Sequence, residues 1–523
     1  MIHKNHLTQA QNLADFIEVS LTKYAKLPAY SCFGQTLTFS DIDKKSRDLA
    51  AWLQQESGLF AGDRVIIQLP NITQYPIAVY AVLRAGMVIV NTNPLYTACE
   101  MQHQFSDSGA KAIITLEDQI PNLDIIKPKT NIERVIVTAA NDLLTDDLSF
   151  HHNSYKGFNQ VILDGSQLTL ESRPQSSIDD TCILQYTGGT TGVSKGACLS
   201  HSNIMACSDQ LLERLGDNFI PTKESVVCPL PLYHIYAFTV NMMAFFSQGS
   251  LNILIPNPKN LDTFVDAITP FKFTGFSGIN TLFVGLCQHP KFKSLDFSAL
   301  KFTASGGATL TSMTADTWFN TTGCSITEGY GLSESSAVVC LNEPGKEHLG
   351  TVGQPTYGTE VQLWDGNNQE VIDGQEGQVV VRGPQMLSGY WNMPSETDKA
   401  ISPDGFFKTG DIGVRLPDGC IKIVDRLKDM IIVSGFNVYP NEVEDVITNY
   451  PDILEAAVIG EADDKTGERI CAYITVKRSI DQAAVIEFCR EYLTAYKVPK
   501  QIVVLKALPK STVGKVLRRE LRN

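Results

Sequence analysis

The sequence is short of positive charge and has no long apolar segment. Its 523 residues contain 43 Lys and Arg against 57 Asp and Glu, a formal net charge of −14 that argues against nucleic-acid binding. A membrane-spanning helix needs roughly 18–20 uncharged apolar residues, and the nearest stretch, 237–246, is too short. The N-terminal segment also lacks the apolar region of a secretory signal. We expect a cytoplasmic protein, with peripheral contact with the inner face of the membrane left open.

Paired cysteines are also missing from the sequence. The 12 cysteines are scattered singly with no CxxC pair, which favours reduced, mostly buried thiols over a disulfide framework or a metal site. The chain length indicates several packed units rather than one core. One segment departs from the overall charge, because residues 506–522 carry six Lys and Arg and a single acid, Glu520.

Short apolar stretches alternate with amphipathic ones from about residue 36 onward. We predict a helix capped by Ser40, with Ile42, Leu49 and Leu53 on its buried side. Apolar strands separated by helices are typical of parallel sheets that are covered by helices on their faces. The more polar stretch 141–179 is expected to contain a surface connection. Further predicted elements are strands at 64–69, 88–90 and 112–115 and helices at 78–83 and 100–106.

The C-terminal part of the sequence has a different pattern of residues. Pro440 is followed by the acids Glu442 and Glu444, which suits the first turn of a helix. The elements predicted after this helix are strands at 456–459 and 472–476 and a helix at about 482–493. This is enough sequence for a small α+β domain. The predicted division is an N-terminal domain at 1–425, a C-terminal domain at 426–523 and a hinge at 426–428.

The most informative segment is TGGTTGVSKG, residues 187–196. Its glycines allow the backbone to approach an anion closely, its hydroxyls are short donors, and Lys195 adds a positive charge for phosphate oxygens. A Walker A loop would need Gly directly before the lysine and a hydroxyl after it, where Ser194 and Gly196 stand. The residues alone leave two alternatives open, a phosphate site of another class and a flexible surface loop.

Extended to YTGGTTGVSKGACLSH, this segment resembles the signature loop of the adenylate-forming superfamily, which contains acyl-CoA synthetases, luciferases and the adenylation domains of nonribosomal peptide synthesis. The sequence departs from the usual family pattern at Ser333, where the family usually has Thr. The resemblance implies an α/β fold with a large multi-subdomain N-terminal domain of mostly parallel sheets and a small mobile α+β C-terminal domain. The other segments that resemble family signatures, in the same order, are SGGA at 305–308, EGYGLSE at 328–334, FKTGD at 407–411, DRLKDMIIVSGFNVYP at 425–440 and PKSTVGKVLRR at 509–519.

The resemblance implies a nucleotide site at the matching positions. Asp411 would accept hydrogen bonds from the ribose hydroxyls, as acids do in dinucleotide folds, and Tyr330 would offer a flat face to adenine. Mg²⁺ prefers hard oxygen ligands and is expected on Thr187 and Glu334. The residues expected to bind ATP or AMP are Thr187, Gly188, Gly189, Thr190, Thr191, Gly192, Ser194, Gly306, Gly307, Ala308, Glu328, Gly329, Tyr330, Gly331, Ser333, Asp411 and Arg426.

The resemblance also implies which residues act in the reaction. Lys515 is expected to bridge the substrate carboxylate and the α-phosphate, and Lys195 to hold phosphate oxygens. His234 has two interpretations: a structural histidine among aromatic residues, or a group that acts near the carboxylate or gates an acyl tunnel. Lys428 is the expected hinge residue. The turn expected to face coenzyme A consists of Ser434, Gly435 and Phe436.

The segment between Glu224 and Lys259 contains no Asp, Glu, Lys or Arg. It is interpreted either as a buried core helix or as the wall of a tunnel for an apolar tail, for which flexible and aromatic side chains are suited. The strings PLYHIYAFT, GINTLF and LPKSTVGKVLRREL resemble bacterial long-chain fatty-acid–CoA ligases more than aryl-CoA ligases or luciferases. The residues considered for the tunnel are Phe238, Met242, Met243, Phe245 and Phe246.

The function implied by this resemblance is ATP-dependent activation of a long- or medium-chain fatty acid to acyl-AMP, followed by thioester formation with coenzyme A. Mg²⁺ is the expected cofactor, and fatty acid, ATP and coenzyme A are the expected partners. The alternatives are a fatty-acyl-AMP ligase that loads a carrier protein, a ligase for aryl or other carboxylates, and a catalytically silent acyl- or nucleotide-binding protein. A homodimer is left open.

Overall fold

Two large, mostly parallel sheets form the body of the molecule, and two smaller sheets follow them in the chain. The computed structural model describes residues 10–145, 148–150, 152, 154–173, 176–187, 194–511 and 514–522. The predicted α/β fold is confirmed. All 12 cysteines are free, and all but Cys99 are buried, as predicted. In the described part of the chain, no helix is long and apolar enough to cross a membrane.

The first sheet has eight strands, and the six from Thr181–Thr187 to Lys156–Gly157 are parallel. These strands are short and rich in Val and Ile because helices cover both faces and leave almost no strand residue exposed. The three predicted strands are confirmed within two residues. In spatial order the strands are Gly389–Tyr390, Lys195–Ser200, Thr181–Thr187, Val88–Asn91, Arg64–Gln68, Ala112–Leu116, Arg134–Thr138 and Lys156–Gly157.

Three of the helices around these strands, Leu13–Lys23, Phe39–Gln55 and Ala98–Ser108, begin with a side-chain cap. Thr38, not Ser40 as predicted, caps the helix Phe39–Gln55. Its hydroxyl accepts from the Asp41 N–H (3.2 Å), while the Asp41 carboxylate accepts from the Thr38 N–H (2.8 Å). The stretch predicted as a surface connection also contains the helix Phe158–Gly165, which packs on Phe39–Gln55. The helices of this region are Leu13–Lys23, Phe39–Gln55, Gln74–Arg84, Ala98–Ser108, Ile120–Ile126, Asp142–Thr145 and Phe158–Gly165.

The second sheet has nine strands and is parallel from Ile326–Tyr330 to Pro28–Cys32. Its strands in spatial order are Gln354–Pro355, Cys340–Leu341, Ile326–Tyr330, Phe302–Ser305, Gly275–Gly278, Ser225–Cys228, Leu251–Leu254, Pro28–Cys32 and Gln35–Thr38. The helices that cover it are His201–Leu215, Ile235–Ala237, Leu261–Ile268, Asn280–Gln288, Pro290–Lys293 and Ser312–Thr322.

A π-helix, Phe238–Phe245, continues directly from Ile235–Ala237 and is buried along its whole length. The π-helix lies within the uncharged segment 225–258 of the sequence. Wider π-helical turns occur mostly as short pieces at functional sites. Here the π-helix runs between the core shared by the two large sheets and a second apolar cluster beside the helix His201–Leu215.

The third sheet is antiparallel and the fourth is mainly antiparallel. The third consists of Glu360–Trp364, Glu376–Arg382, Phe407–Arg415 and Ile421–Arg426, with the helix Pro394–Ala400 inserted. The fourth consists of Phe436–Val438, Ile431–Val433, Gly467–Val476, Ile453–Asp463 and Gln501–Val504, and its helices are Pro440–Thr448 and Gln482–Tyr492. Single 3₁₀ turns are Glu117–Gln119, Lys127–Lys129, Gly216–Asn218, Ser333–Ser335, Ala495–Lys497 and Arg518–Leu521.

The fourth sheet and its two helices have a core of their own, which includes Ile431, Val443, Ile447 and Val485. The helix that begins at Pro440 is confirmed, and Val443 and Ile447 are buried in it. Because residues 427–430 connect the third sheet to the fourth, the chain crosses between two packed units there. The assignment of domains at 1–425 and 426–523 stays a prediction that fits this arrangement.

Candidate active site

A cavity of about 2410 Å³ is lined by residues of all four sheets. Ligands bind outside the carboxyl ends of parallel strands, and Phe302–Ser305 and Ile326–Tyr330 both end at this cavity. The third sheet contributes Asp411 and Arg426, and the C-terminal segment contributes Lys515. Segments that are far apart in the sequence therefore meet at one site.

Asp411 is the polar centre of this site. It is only 4% exposed, and its two carboxylate oxygens have different partners: Oδ2 accepts from the Tyr330 hydroxyl (2.6 Å), and Oδ1 pairs with the Arg426 Nε (3.2 Å). Asp411 and Arg426 are direct neighbours across two antiparallel strands, so the sheet register fixes their pairing. Burial raises the pKa of Tyr330 well above its usual value, so the phenol stays a proton donor.

Glycines in the two turns at the strand ends leave room for a ligand or for the opposite backbone. A Cβ on Gly331 would lie 1.6 Å from the Ala337 carbonyl oxygen, and one on Gly329 would lie 2.8 Å from Leu341 Cδ1. Gly307 has a φ of 81°, which favours glycine. Gly331 and Gly307 therefore require glycine for backbone reasons. The predicted nucleotide residues Gly306, Ala308 and Ser333 also line the cavity.

Two half-buried glutamates flank the predicted nucleotide position. Burial raises the pKa of Glu328 to about 7, although its Oε1 accepts from the Gly350 N–H (3.0 Å). Burial also raises the pKa of Glu334, whose Oε1 accepts from the Tyr390 hydroxyl (2.8 Å). A bound cation stabilises the charged form of a carboxyl group whose pKa is raised in this way. Glu334 thus fits a Mg²⁺ ligand, and Thr187 lines the same cavity.

Lys195 begins the strand Lys195–Ser200, directly after the predicted phosphate loop, and forms an ion pair with Glu396. Its Nζ also lies 5.2 Å from the centre of the Tyr390 ring. The hydrogen bond from Lys195, assisted by Lys399, lowers the pKa of Glu396 to about 2. Ser194 accepts from His103 through its carbonyl oxygen (3.2 Å). The predicted loop residues Gly188, Gly189, Thr190, Thr191 and Gly192 lie outside the described part of the chain.

Lys515 reaches the site from a turn that folds back on itself. The Ser511 N–H donates to the Lys515 carbonyl oxygen (2.7 Å), and the Lys515 N–H donates to the Ser511 Oγ (3.1 Å). Gly514, with a φ of 79°, rests so close to Ile279 that a Cβ would lie 2.4 Å from its Cδ1. Burial and the nearby Arg426 lower the pKa of Lys515 to about 8. The turn therefore presents a partly desolvated amine at the nucleotide position.

His234 lies next to Lys515 at the start of the helix Ile235–Ala237. Burial, with a contribution from Lys515, lowers the pKa of His234 to about 4. Its Nδ1 accepts from the Tyr236 N–H (3.3 Å), which places the proton of the neutral ring on Nε2. This histidine is thus both a helix cap and a member of the cavity wall.

The predicted hinge residue and the predicted coenzyme A turn differ in their position relative to the cavity. Lys428 is exposed and lines the edge of the cavity. Ser434 and Gly435 form a turn with φ values of 53° and 84°, and Phe436, 56% exposed, stacks on Tyr496 with ring centres 4.8 Å apart. These three turn residues do not line the cavity that contains Asp411 and Lys515. The structure thus brings the nucleotide and lysine residues together and leaves the predicted coenzyme A turn outside.

An apolar arm of the cavity extends between the helix His201–Leu215 and the π-helix. Of the five residues considered for a tunnel, only Phe245 lines it. Phe246 stacks on Phe39 with ring centres 4.4 Å apart, and Phe238, Met242 and Met243 belong to the same core, so the core interpretation is confirmed for these four. Sequence reasoning missed the other side chains of this arm, which are Leu211, Leu215, Val240, Phe302, Val338 and Leu341.

Two further polar residues of the site were also missed. Glu396 and Tyr390 hold Lys195 and Glu334 respectively, and nothing in the sequence around them distinguishes them from surface residues. Away from these pairs, His348, Asp418 and Cys420 form the one group of three metal-ligating types found among the described residues. The His348 Nδ1 lies 2.7 Å from the Asp418 Oδ2, so that hydrogen bond already partners both side chains.

A nucleotide pocket beside an apolar arm, closed by a lysine from a small C-terminal unit, is the arrangement of an adenylate-forming enzyme. Residues 17–391 match the AMP-binding enzyme family, and residues 442–515 match the AMP-binding enzyme C-terminal domain. The chain belongs to the AMP-binding enzyme family. The sequence resemblance and the fold that it implied are thereby confirmed.

Individual proteins show how far the likeness extends. The chain is 41% identical to a long-chain-fatty-acid–CoA ligase from Salmonella typhimurium, over 98% of this chain and 94% of that protein. It is 38% identical to the ligase of the same name from Haemophilus influenzae, with the same coverage. The crystal structure of the anthranilate CoA ligase AuaEII in complex with anthranoyl-AMP has the same fold, with a TM-score of 0.90 at 24% identity, covering 98% of this chain and 96% of that chain.

Proposed function

We propose that this protein is a long- or medium-chain fatty-acid–CoA ligase that forms acyl-CoA, AMP and pyrophosphate. The observation that carries the proposal is the apolar arm that leads to His234 and Lys515. An alkyl chain gains about 0.8 kcal/mol for each CH₂ that it buries, so this arm can bind a fatty tail without polar contacts. Relatives over almost the full length bear the name of such a ligase.

In the first step, a carboxylate oxygen of the fatty acid attacks the α-phosphorus of ATP, and the bond to the bridging oxygen breaks as pyrophosphate leaves. Asp411 holds the ribose in place of one of its present partners, and Lys195 exchanges Glu396 for phosphate oxygens. Lys515 stabilises the negative charge shared by the carboxylate and the α-phosphate. Mg²⁺, when bound at Glu334 and Thr187, would neutralise phosphate charge.

In the second step, the sulfur of coenzyme A attacks the acyl carbonyl carbon and AMP leaves with the electrons of the broken C–O bond. We propose that the fourth sheet and its helices, here called the lid (residues 429–522), rotate about 426–428 between the steps. This motion would withdraw Lys515 and bring Ser434, Gly435 and Phe436 to the cavity. One site would then serve two reactions by exchanging the surface that closes it.

Peripheral membrane contact and a homodimer remain predictions from the sequence. The basic C-terminal segment offers less free charge than its composition indicated, because half of its cations form ion pairs within the chain. These pairs are Lys510–Glu455, Arg518–Glu444 and Arg522–Asp429.

The test of the proposed function is product analysis with purified protein, ATP, Mg²⁺ and palmitate, with and without coenzyme A. We expect pyrophosphate, AMP and palmitoyl-CoA in equal amounts, with AMP release dependent on coenzyme A. Release of free acyl-AMP, with acyl transfer only to a carrier protein, would support the acyl-AMP ligase instead. Failure to release pyrophosphate with any carboxylate would support a silent binding protein.

A further inference from the structure

The helix Pro440–Thr448 of the lid begins without a cap of its own. Its N-cap residue, Tyr439, makes no side-chain cap hydrogen bond, and Pro440 has no N–H. The first N–H in need of an acceptor is that of Asn441, and it donates to Asp425 Oδ2 (2.9 Å). Asp425 lies in the strand Ile421–Arg426 of the third sheet, on the other side of the predicted hinge. The helix is therefore capped from outside the lid.

The carboxylate of Asp425 is buried among donors. Asp425 is only 1% exposed; its Oδ1 accepts from the Arg426 N–H (2.7 Å) and lies 3.6 Å from the Arg518 Nη1. Beside it, the Asn441 side-chain amide donates to the Val424 carbonyl oxygen (3.1 Å). The N-terminus of a helix carries partial positive charge, which also favours a carboxylate at this position. Burial raises the pKa of Asp425 and Arg518 opposes that shift, so the lid supplies much of what keeps the charge stable.

Arg518 connects this capped helix to the turn that carries Lys515. Its guanidinium donates to both carboxylate oxygens of Glu444 (2.8 Å each) and to the Asn441 Oδ1 (2.7 Å). Glu444 and Asn441 belong to the helix, and Lys515 is three residues before Arg518. The helix, Arg518 and the lysine turn therefore form one unit, and Asp425 is the buried attachment point of this unit on the third sheet.

We propose that Asp425 is a latch that holds the lid in the position at which Lys515 faces the nucleotide site. This inference rests on the proposed function and on the hinge at 426–428. Rotation there would break the contacts of Asp425 with Asn441 and Arg518, whereas the Arg518–Glu444 pair lies within the lid and would move with it. Two other contacts between lid and body each end on an exposed side chain: the buried Tyr439 donates to the exposed Glu376, and the exposed Ser312 donates to Asp445.

The latch predicts an imbalance between the two half-reactions. Asp425→Ala removes the cap and the charge, and we expect acyl-AMP formation from palmitate and ATP to slow by about 5- to 30-fold, the range for loss of an N-cap. Thioester formation from supplied palmitoyl-AMP and coenzyme A should keep its rate or gain. Asp425→Asn keeps an acceptor oxygen without the charge and should fall between the wild type and Asp425→Ala. Asp425→Asn also tests the latch if Asp425→Ala does not fold.

Asp429 offers a matched control. Its carboxylate also faces Arg518, at 3.6 Å from the Nη1, but it follows the hinge and would move with the lid. Asp429→Asn removes one negative charge from the same arginine, yet it should change the ratio of the two half-reaction rates by less than about twofold, as expected for one partly exposed ion pair. An equal imbalance in Asp429→Asn and Asp425→Asn would overturn the latch.

A distance measurement separates the latch from the proposed activity. Cys99 is the exposed native cysteine, and Lys465→Cys places a second label on an exposed turn of the lid. Without substrates, pulsed electron-spin resonance should show one main distance, and Asp425→Ala should add a second population. An unchanged distribution in Asp425→Ala would overturn the latch whether or not the protein is a ligase. A changed distribution without ligase activity would leave the latch intact and reject the function.

Discussion

The proposed nucleotide half of the cavity and its proposed acyl half are built in opposite ways. Asp411 already has two partners of fixed geometry, Tyr330 at 2.6 Å and Arg426 at 3.2 Å. The acyl half is walled by side chains such as Leu211, Val240 and Phe302, which have no polar atoms to position. Preorganised donors are what a developing phosphate charge requires, whereas an alkyl chain requires only apolar area of the right depth.

This difference implies that the two halves can be altered separately. A change in the nucleotide half should affect every acid substrate alike, because all of them react with the same ATP. A change in the acyl half should alter the preference among acids and leave the use of ATP intact. The four predictions below test that separation.

The largest effect is expected at the point where both halves meet. Lys515→Ala removes the charge shared by the carboxylate and the α-phosphate, and adenylation should fall by about 1,000-fold, the upper range for loss of a preorganised group. Thioester formation from supplied acyl-AMP should fall by less than tenfold. Single-turnover assays of each half-reaction measure the two rates. Equal loss in both steps would contradict the proposed role of Lys515.

A second prediction concerns the nucleotide half alone. Asp411→Ala removes the acceptor that Tyr330 and Arg426 position, and kcat/KM for ATP should fall by about 100-fold, as for loss of one charged hydrogen-bonding group from a buried site. The order of preference among fatty acids should not change, which a chain-length series measured at saturating ATP can show. A shifted preference would mean that the halves are coupled.

The third prediction fills the acyl half. Val240→Phe adds a ring where the π-helix meets the arm, and loss of space for about three to four CH₂ groups should lower kcat/KM for palmitate by about 100-fold relative to octanoate. The KM for ATP should stay constant. Met242→Leu is the control, since Met242 lies on the same helix but faces the core. A similar shift in the control would assign the effect to the helix rather than to the arm.

The smallest effect is a pH dependence. Because burial lowers the pKa of Lys515 to about 8, its protonated form is lost as pH rises through that value. Where adenylation needs the charge, kcat/KM for ATP should be flat below pH 7 and fall about tenfold per unit above pH 9. Lys515→Arg keeps its charge over this range, so its kcat/KM for ATP should not fall with pH, although its activity should be lower than that of the wild type. A fall that persists in Lys515→Arg would place the titrating group elsewhere.

The motifs of the nucleotide half could be predicted from the sequence because the chemistry restricts which residues can stand there. Gly331 has no space for a Cβ, and Asp411 must be an acid to hold both Tyr330 and Arg426. Lys515 was predicted only from the resemblance of residues 509–519 to a family signature, and its contacts with the rest of the site could not be foreseen. The partners Glu396 and Tyr390 could not be predicted, since their role depends on the distance between loops that are remote in sequence.

The acyl half shows why the rest could not be predicted. An amphipathic pattern assigns faces through the period of 3.6 residues, but Phe238–Phe245 is a π-helix with a longer period, so Phe245 and not Met242 faces the arm. The predicted helix start near residue 40 was wrong because two residues fit the pattern of an N-cap. Thr38 and Ser40 are each followed by an acid three residues later, and the strand that ends at Thr38 decides between them.

The most direct test of the proposed function is the dependence of acyl-CoA formation on chain length. Saturated acids of 4 to 18 carbons and benzoate would be compared at fixed ATP, Mg²⁺ and coenzyme A, with AMP and acyl-CoA measured together. An apolar arm joined to an adenylation site predicts one AMP for each acyl-CoA and a kcat/KM that rises about fourfold per CH₂ until the arm is full. A series without chain-length dependence, or a preference for benzoate, would contradict the account.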